Sequence, residues 1–232
     1  PMMHVSDIRA LSGLAHDAGA ILIVDNTFLT CYFQRPLHLG ADVVAYSGTK
    51  YLCGHNDVTC GFVVIKDETL LERSFMDYMS EGGALAPFEA WLMLRSLKTL
   101  GVRLRQQEKS AKAICAFLKN HPHVTDVFYV GDPEHKSYEL SQRQTTGSGA
   151  MISFNVDSNE RLLEVLKRVE LITFAESLGG AESLITYPLV QTHGSIPARI
   201  RDELGIGERL LRLSVGLEDA DDLIRDLDQA LA

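Results

Sequence analysis

The sequence predicts an α/β fold: a parallel-sheet domain over residues 1–120, followed by a small α+β domain over 121–232. Three observations carry that reading. Two β-rich apolar runs, Ile21–Asp25 and Asp42–Tyr46, each stop at chemistry-bearing residues: Asp25-Asn26 in one case, Ser47-Gly48-Thr49-Lys50 in the other. A stretch of helical period precedes the first run. Beyond His121-Pro122 the texture changes to short strands alternating with helices.

Taken in order, Ser6-Asp7 reads as a helix N-cap and first turn, with Ile8, Leu11, Leu14, Ala15 and Ala18 on one face and Gly19 as the stop. The two strands follow, and ligands in such sheets bind at the carboxyl ends of the strands. Cys60–Ile65 reads as a buried strand, and Lys66-Asp67 opens an amphipathic helix to about Tyr78. Glu81–Ala84 is a loop, and Pro87 suits a helical first turn. From Phe88 to Asn120 helical period persists, with a bend expected at Gly101; this long helix is the expected link between the domains and a candidate subunit contact. The second half then reads as a strand from Val124, a helix Glu134–Gln144, a strand Met151–Val156 and a helix Glu160–Arg168. A strand Leu171–Phe174, a loop Glu176–Gly180, a strand Arg209–Val215 and a helix from Asp219 complete it.

An apolar fraction of 46% and a charged fraction of 23% are those of an ordinary globular protein. The net charge of −9 argues against nucleic acid or an anionic membrane as the main partner. No apolar run is long enough to span a membrane and no basic-then-apolar leader opens the chain, so a cytoplasmic location is expected. Cys31, Cys53, Cys60 and Cys115 show no C-x-x-C, and the eight histidines are scattered; reduced thiols and no metal site are expected.

Lys50, with the hydroxyls of Ser47 and Thr49 beside it and Asp25 at the neighbouring strand end, has the parts that pyridoxal phosphate chemistry needs. A lysine forms the Schiff base, a carboxylate keeps the pyridine nitrogen protonated, and hydroxyls with backbone N–H groups take the phosphate. The plainer reading is a solvated lysine and a turn aspartate. A P-loop is excluded, because no G-x-x-x-x-G-K-[ST] precedes the lysine.

The motif I-V-D-N-T-F-L-T (residues 23–30), followed by S-G-T-K-Y-L-C-G-H-N-D (47–57) and R-L-S-V-G-L-E-D (212–219), resembles the cystathionine synthase/lyase and methionine γ-lyase family. The likeness runs through nearly the whole chain. It implies a fold-type I, aspartate aminotransferase-like architecture and pyridoxal 5'-phosphate as cofactor. It also implies a homotetramer built as a dimer of dimers. Lys50 becomes the Schiff-base lysine, Asp25 the ring-nitrogen partner, and Ser47 and Thr49 phosphate contacts. Cys31 and Cys53 depart from the family pattern, where a proline and a glycine are common. The family's amino-terminal portion, with a glycine-containing phosphate loop and an aromatic residue stacked on the cofactor, has no counterpart here. The expectation is a fragment that exposes an apolar sheet edge and associates.

In the second half, Arg212 alternates with apolar residues along a strand, and its planar fork matches a carboxylate. Ser177-Leu178-Gly179-Gly180 is a small-residue loop with backbone donors. On residues alone Arg212 is equally well a surface arginine on an edge strand; the resemblance implies that Ser177, Leu178 and Arg212 bind an amino acid carboxylate. The resemblance also implies a substrate-side role for Glu176, where a glutamate in related enzymes leans toward γ-carbon chemistry, whereas Ile185–Pro188 and Gln191–His193 resemble bacterial β-lyases or γ-synthases. Tyr46 reads as a packed strand aromatic. The implied reaction is elimination or replacement at the side chain of a sulfur amino acid. An aminotransferase of the same fold and a catalytically empty interaction module are the rivals.

Overall fold

The computed structural model describes residues 1–232. The first half contains α1 (Ile8–Asp17), β1 (Ile23–Asp25), α2 (Thr30–Phe33), β2 (Val43–Ser47), β3 (Gly61–Ile65), α3 (Glu68–Glu81), α4 (Pro87–Leu97) and α5 (Leu100–Lys119). The second contains β4 (Val124–Phe128), α6 (Tyr138–Gln144), β5 (Met151–Val156), α7 (Asn159–Arg168) and β6 (Thr173–Phe174). It continues through β7 (Leu184–Thr186), α8 (Pro188–Gln191), α9 (Ala198–Leu204), β8 (Leu210–Ser214) and α10 (Ala220–Leu231).

The first sheet has the order β1-β2-β3. β1 and β2 run parallel, with Asp25 beside Ala45, so both carboxyl ends lie at the same edge. β3 is antiparallel to β2 and is not buried: Val63 is 64% exposed, and α3 beside it buries no residue at all. The expected buried strand is therefore an uncovered edge, and the apolar stripe Leu71, Phe75, Met76 and Met79 of α3 faces solvent. In α1 the Asp7 carboxylate caps the Ala10 N–H as its position suggests, yet Leu11 and Leu14 of the apolar face are exposed.

The long helix is two helices, broken at Lys98-Thr99 and not at Gly101. Arg103 stabilises the break by donating from Nη2 to the Ser96 carbonyl and from Nε to the Thr99 hydroxyl. Gly101 lies in the first turn of α5 for a reason of space: a β-carbon there would sit 2.8 Å from the Tyr32 ring. Leu100 and Leu104 of α5 belong to a core with Tyr51, Leu52 and Met93. Ala111, Ile114 and Leu118 belong to a second core. One helix thus joins two cores, and the change of core falls inside it.

The second sheet has the order β4-β5-β8-β7-β6, which makes β8 central. Ile152, Phe154, Leu211, Leu213 and Ile185 point to one face and pack against α5, α7 and α10. Ser153, Arg212, Ser214 and Thr186 occupy the other. That alternation turns a strand of five buried residues into one apolar and one polar face. Nothing in the sequence reading anticipated β7, α8 or α9. Helix α6 starts only at Tyr138, because Asp132 and His135 take the N–H groups of Glu134 and Ser137 in turns ahead of it.

Candidate active site

The carboxyl ends of β1 and β2 are stitched together beyond the last ladder pair. Asn26 N–H donates to the Ala45 carbonyl (2.9 Å), Ser47 N–H to the Thr27 hydroxyl (2.8 Å), and Thr27 N–H to Asp25 Oδ1 (2.9 Å). Asp25 and Ser47 are fixed as neighbours in this way. The chain then coils through Lys50, with Cys53 N–H on the Gly48 carbonyl and Gly54 N–H on the Lys50 carbonyl. Arg103 of α5 anchors the coil from behind, donating to the carbonyls of Tyr51 (2.8 Å) and Leu52 (3.2 Å). Asp25, Ser47 and Lys50 line one cavity of about 880 Å³, together with Leu178 and His193. Burial, with the Arg212 charge, pushes the His193 imidazole below its usual pKa, which favours the neutral ring.

From the second half, Ser177 reaches Lys50, whose Nζ donates to its hydroxyl at 3.2 Å. The carbonyl of the same serine accepts from Arg212 Nη2 at 3.2 Å, and Nη2 also lies 3.3 Å from the Thr186 hydroxyl. Lys50, Ser177 and Arg212 are therefore consecutive links of one chain. Arg212 is only 8% exposed, its Nε has no partner, and no carboxylate pairs with it. Burial lowers its pKa, with Glu176 and Tyr51 opposing. A surface arginine on an edge strand is excluded, because β8 is the middle strand.

Thr49 and the Ser177–Gly180 loop already have partners within the chain. The Thr49 hydroxyl donates to the Cys60 carbonyl (3.2 Å) and accepts from the Cys60 N–H (2.9 Å), so its proton already has an acceptor; it closes the turn onto the chain entering β3. The backbone donors of the Ser177–Gly180 loop are not all free, since Gly179 N–H donates to the Ser214 hydroxyl at 2.8 Å. Gly179 has φ +78°, and a β-carbon on it would lie 2.6 Å from the Tyr51 nitrogen, so a larger residue would push the loop off the Lys50 coil. Leu178 contributes packing to the cavity wall and the first core. Glu176 is exposed, and its charge is felt by Arg212 without a direct ion pair. Thr27, Arg103, Gln107 (Nε2 to the Gly180 carbonyl, 2.8 Å) and Ser214 build the site and went unread in the sequence. Their partners are distant in the chain, so no local pattern marks them.

The family model described as Cys/Met metabolism PLP-dependent enzyme matches residues 1–232. The chain belongs to that family. It is similar to a cystathionine gamma-lyase of Bacillus subtilis (strain 168), 48% identical over all of this chain and 61% of that protein. It is also similar to the chloroplastic cystathionine beta-lyase of Arabidopsis thaliana, 41% identical over 99% of this chain and 50% of that one. Among solved structures, the cystathionine gamma synthase of Xanthomonas oryzae pv. oryzae in complex with cystathionine superposes with a TM-score of 0.97. It is 41% identical, and the match covers all of this chain and 60% of that one. The chain thus spans less than two thirds of the length of these relatives. Fold-type I architecture follows from these likenesses.

The residues present fit pyridoxal phosphate. A lysine amine held only by a serine hydroxyl and a carboxylate at the neighbouring strand end, both lining one cavity, are what the cofactor's ring would use. The orphaned guanidinium Nε is what an amino acid's carboxylate would satisfy.

Proposed function

We infer that this site carries out pyridoxal 5'-phosphate-dependent elimination or replacement at the side chain of a sulfur amino acid of the cystathionine type. The observation that supports the reading is that Ser177 touches both Lys50, through its hydroxyl, and the buried Arg212, through its carbonyl, while Arg212 Nε is left without a partner. Lys50 would hold the cofactor, Asp25 its ring nitrogen, and Ser47 a phosphate oxygen, with Thr49 shaping the turn. Bound there, pyridoxal phosphate supplies an electron sink that lowers the cost of removing an amino acid's α-proton.

The chain's own groups do the rest. Arg212 presents two N–H vectors that match a carboxylate, so the substrate is held in one orientation and not as a point charge. Lys50 Nζ accepts and returns protons at the substrate carbons, and the Ser177 hydroxyl 3.2 Å away keeps the amine aimed along the cavity edge. Leu178 and Met151 give the cavity an apolar wall that suits a thioether side chain. The four thiols are free, in keeping with a cytoplasmic enzyme, and the exposed apolar faces of α3, α4 and β3 are surfaces a homotetramer would cover.

The test is product analysis with L-cystathionine and the cofactor. Release of 2-oxobutyrate with ammonia assigns γ-carbon chemistry, and pyruvate with ammonia assigns β-carbon chemistry. A keto acid formed without ammonia, and only when an acceptor keto acid is added, would make the protein an aminotransferase and overturn the reading.

A further inference from the structure

Behind the Lys50 coil lies a group of three sulfur atoms that the chemistry above does not use. Cys53 Sγ, fully buried, is 3.9 Å from Cys60 Sγ and 3.1 Å from Met93 Sδ. Cys60 is partly exposed and lies against Gly48, the glycine of the coil. Arg103 lies against the same segment: a β-carbon on Gly54 would sit 2.1 Å from its Nη1. That guanidinium is 4% exposed, and its hydrogen bonds go only to neutral oxygens, those of Tyr51, Leu52, Ser96 and Thr99. A buried cation without an anion is costly.

We propose that Cys53, Cys60 and Met93 form a binding site for a soft monovalent cation of the Cu(I) class. Three arguments support it. Thiolate and thioether sulfurs select Cu(I) among cellular metals. With metal–thiolate bonds of about 2.3 Å, two thiolates at 120° on one ion lie about 4.0 Å apart, close to the separation seen here. Charge balance then picks the valence. Two thiolates and a monovalent cation carry one net negative charge, which Arg103 neutralises, whereas a divalent cation would leave the guanidinium uncompensated. Met93 must withdraw from Cys53 for a metal to enter, and an unbranched thioether with three rotatable bonds does so readily. Cys60, the partly exposed member, is the point of entry. Burial holds both thiols protonated at neutral pH, Cys53 pushed up to about 12, with Asp57, exposed, adding to it and Arg103 opposing. Uptake therefore releases two protons per ion: Cys53–SH and Cys60–SH plus Cu(I) give the bis-thiolate complex and two H⁺. Because these residues flank the turn that carries Lys50, the ion would tie that turn to the strand behind it.

The experiment is an anaerobic titration of the chain, in a Cys31→Ser/Cys115→Ala background, with Cu(I) held by the chelator bicinchoninate. The expected result is transfer of one ion per chain with two protons released, slower amide exchange at Cys53 and Gly54, and loss of transfer in Cys60→Ser. Met93→Leu, which conserves volume, should weaken binding at least about tenfold. X-ray absorption on the unsubstituted chain, which needs no variant to fold, should give a first shell of three sulfurs. No transfer to a folded chain, undiminished transfer in Cys60→Ser, a shell with fewer sulfurs, or a Cys53–Cys60 disulfide in place of bound copper would each overturn the proposal.

Discussion

A guanidinium that is 8% exposed and keeps an unpartnered Nε is stable only because Ser177 and Thr186 take part of its hydrogen-bonding capacity. The remainder is available to a ligand. Arg212→Lys replaces a planar fork by a point charge and should weaken amino acid affinity by roughly 1.5–3 kcal/mol, about ten- to hundredfold, while leaving the cofactor's resting spectrum unchanged. Substrate titration of both proteins checks it; equal affinities would remove Arg212 from substrate binding. Lys50, Asp25 and Arg212 stand out in the sequence as candidates because each ends or punctuates an apolar run, where a charged side chain is conspicuous. Arg103 was not. It sits in a helix of ordinary amphipathic composition, and only the fold shows that it points inward to hold the Lys50 coil.

At the scale of elements, Asp42 ties α1, β1 and β2 together. Its Oδ2 accepts from the Leu22 N–H and from His16 Nε2, each at 2.8 Å, and these bonds, the backbone one foremost, hold its pKa below the usual value. A carboxylate with a depressed folded pKa adds stability above its unfolded pKa of about 3.9 and loses it as the pH falls through the folded value. Asp42→Asn should therefore be less stable than the parent at pH 7, with the difference shrinking at acid pH below about 4. Chemical denaturation at both pH values checks it; a difference that grows toward acid would contradict the linkage. Element types were mostly readable from period and caps, but their surroundings were not. The apolar run of β3 reads as buried because sequence cannot show that no helix covers it. The α4–α5 break was hidden because helical periodicity continues through Lys98-Thr99, and Gly101 misled because it serves Tyr32 and not the backbone.

At the scale of the molecule, two cores share α5, and the site lies where the loop Ser177–Gly180 from the second reaches the strand ends of the first. Separation of Lys50 and Ser177 by 127 residues puts this juxtaposition beyond any local reading; family likeness anticipated it, and the geometry supplies its physical content. The account's central claim is that the amine at this junction holds the cofactor. The direct measurement is borohydride reduction of the chain in the presence of pyridoxal phosphate, followed by peptide mapping. The account predicts a reduced pyridoxyl label on Lys50, lost in Lys50→Ala. A label on Lys66 instead, or an unlabelled Lys50 in a folded, cofactor-saturated chain, would contradict it.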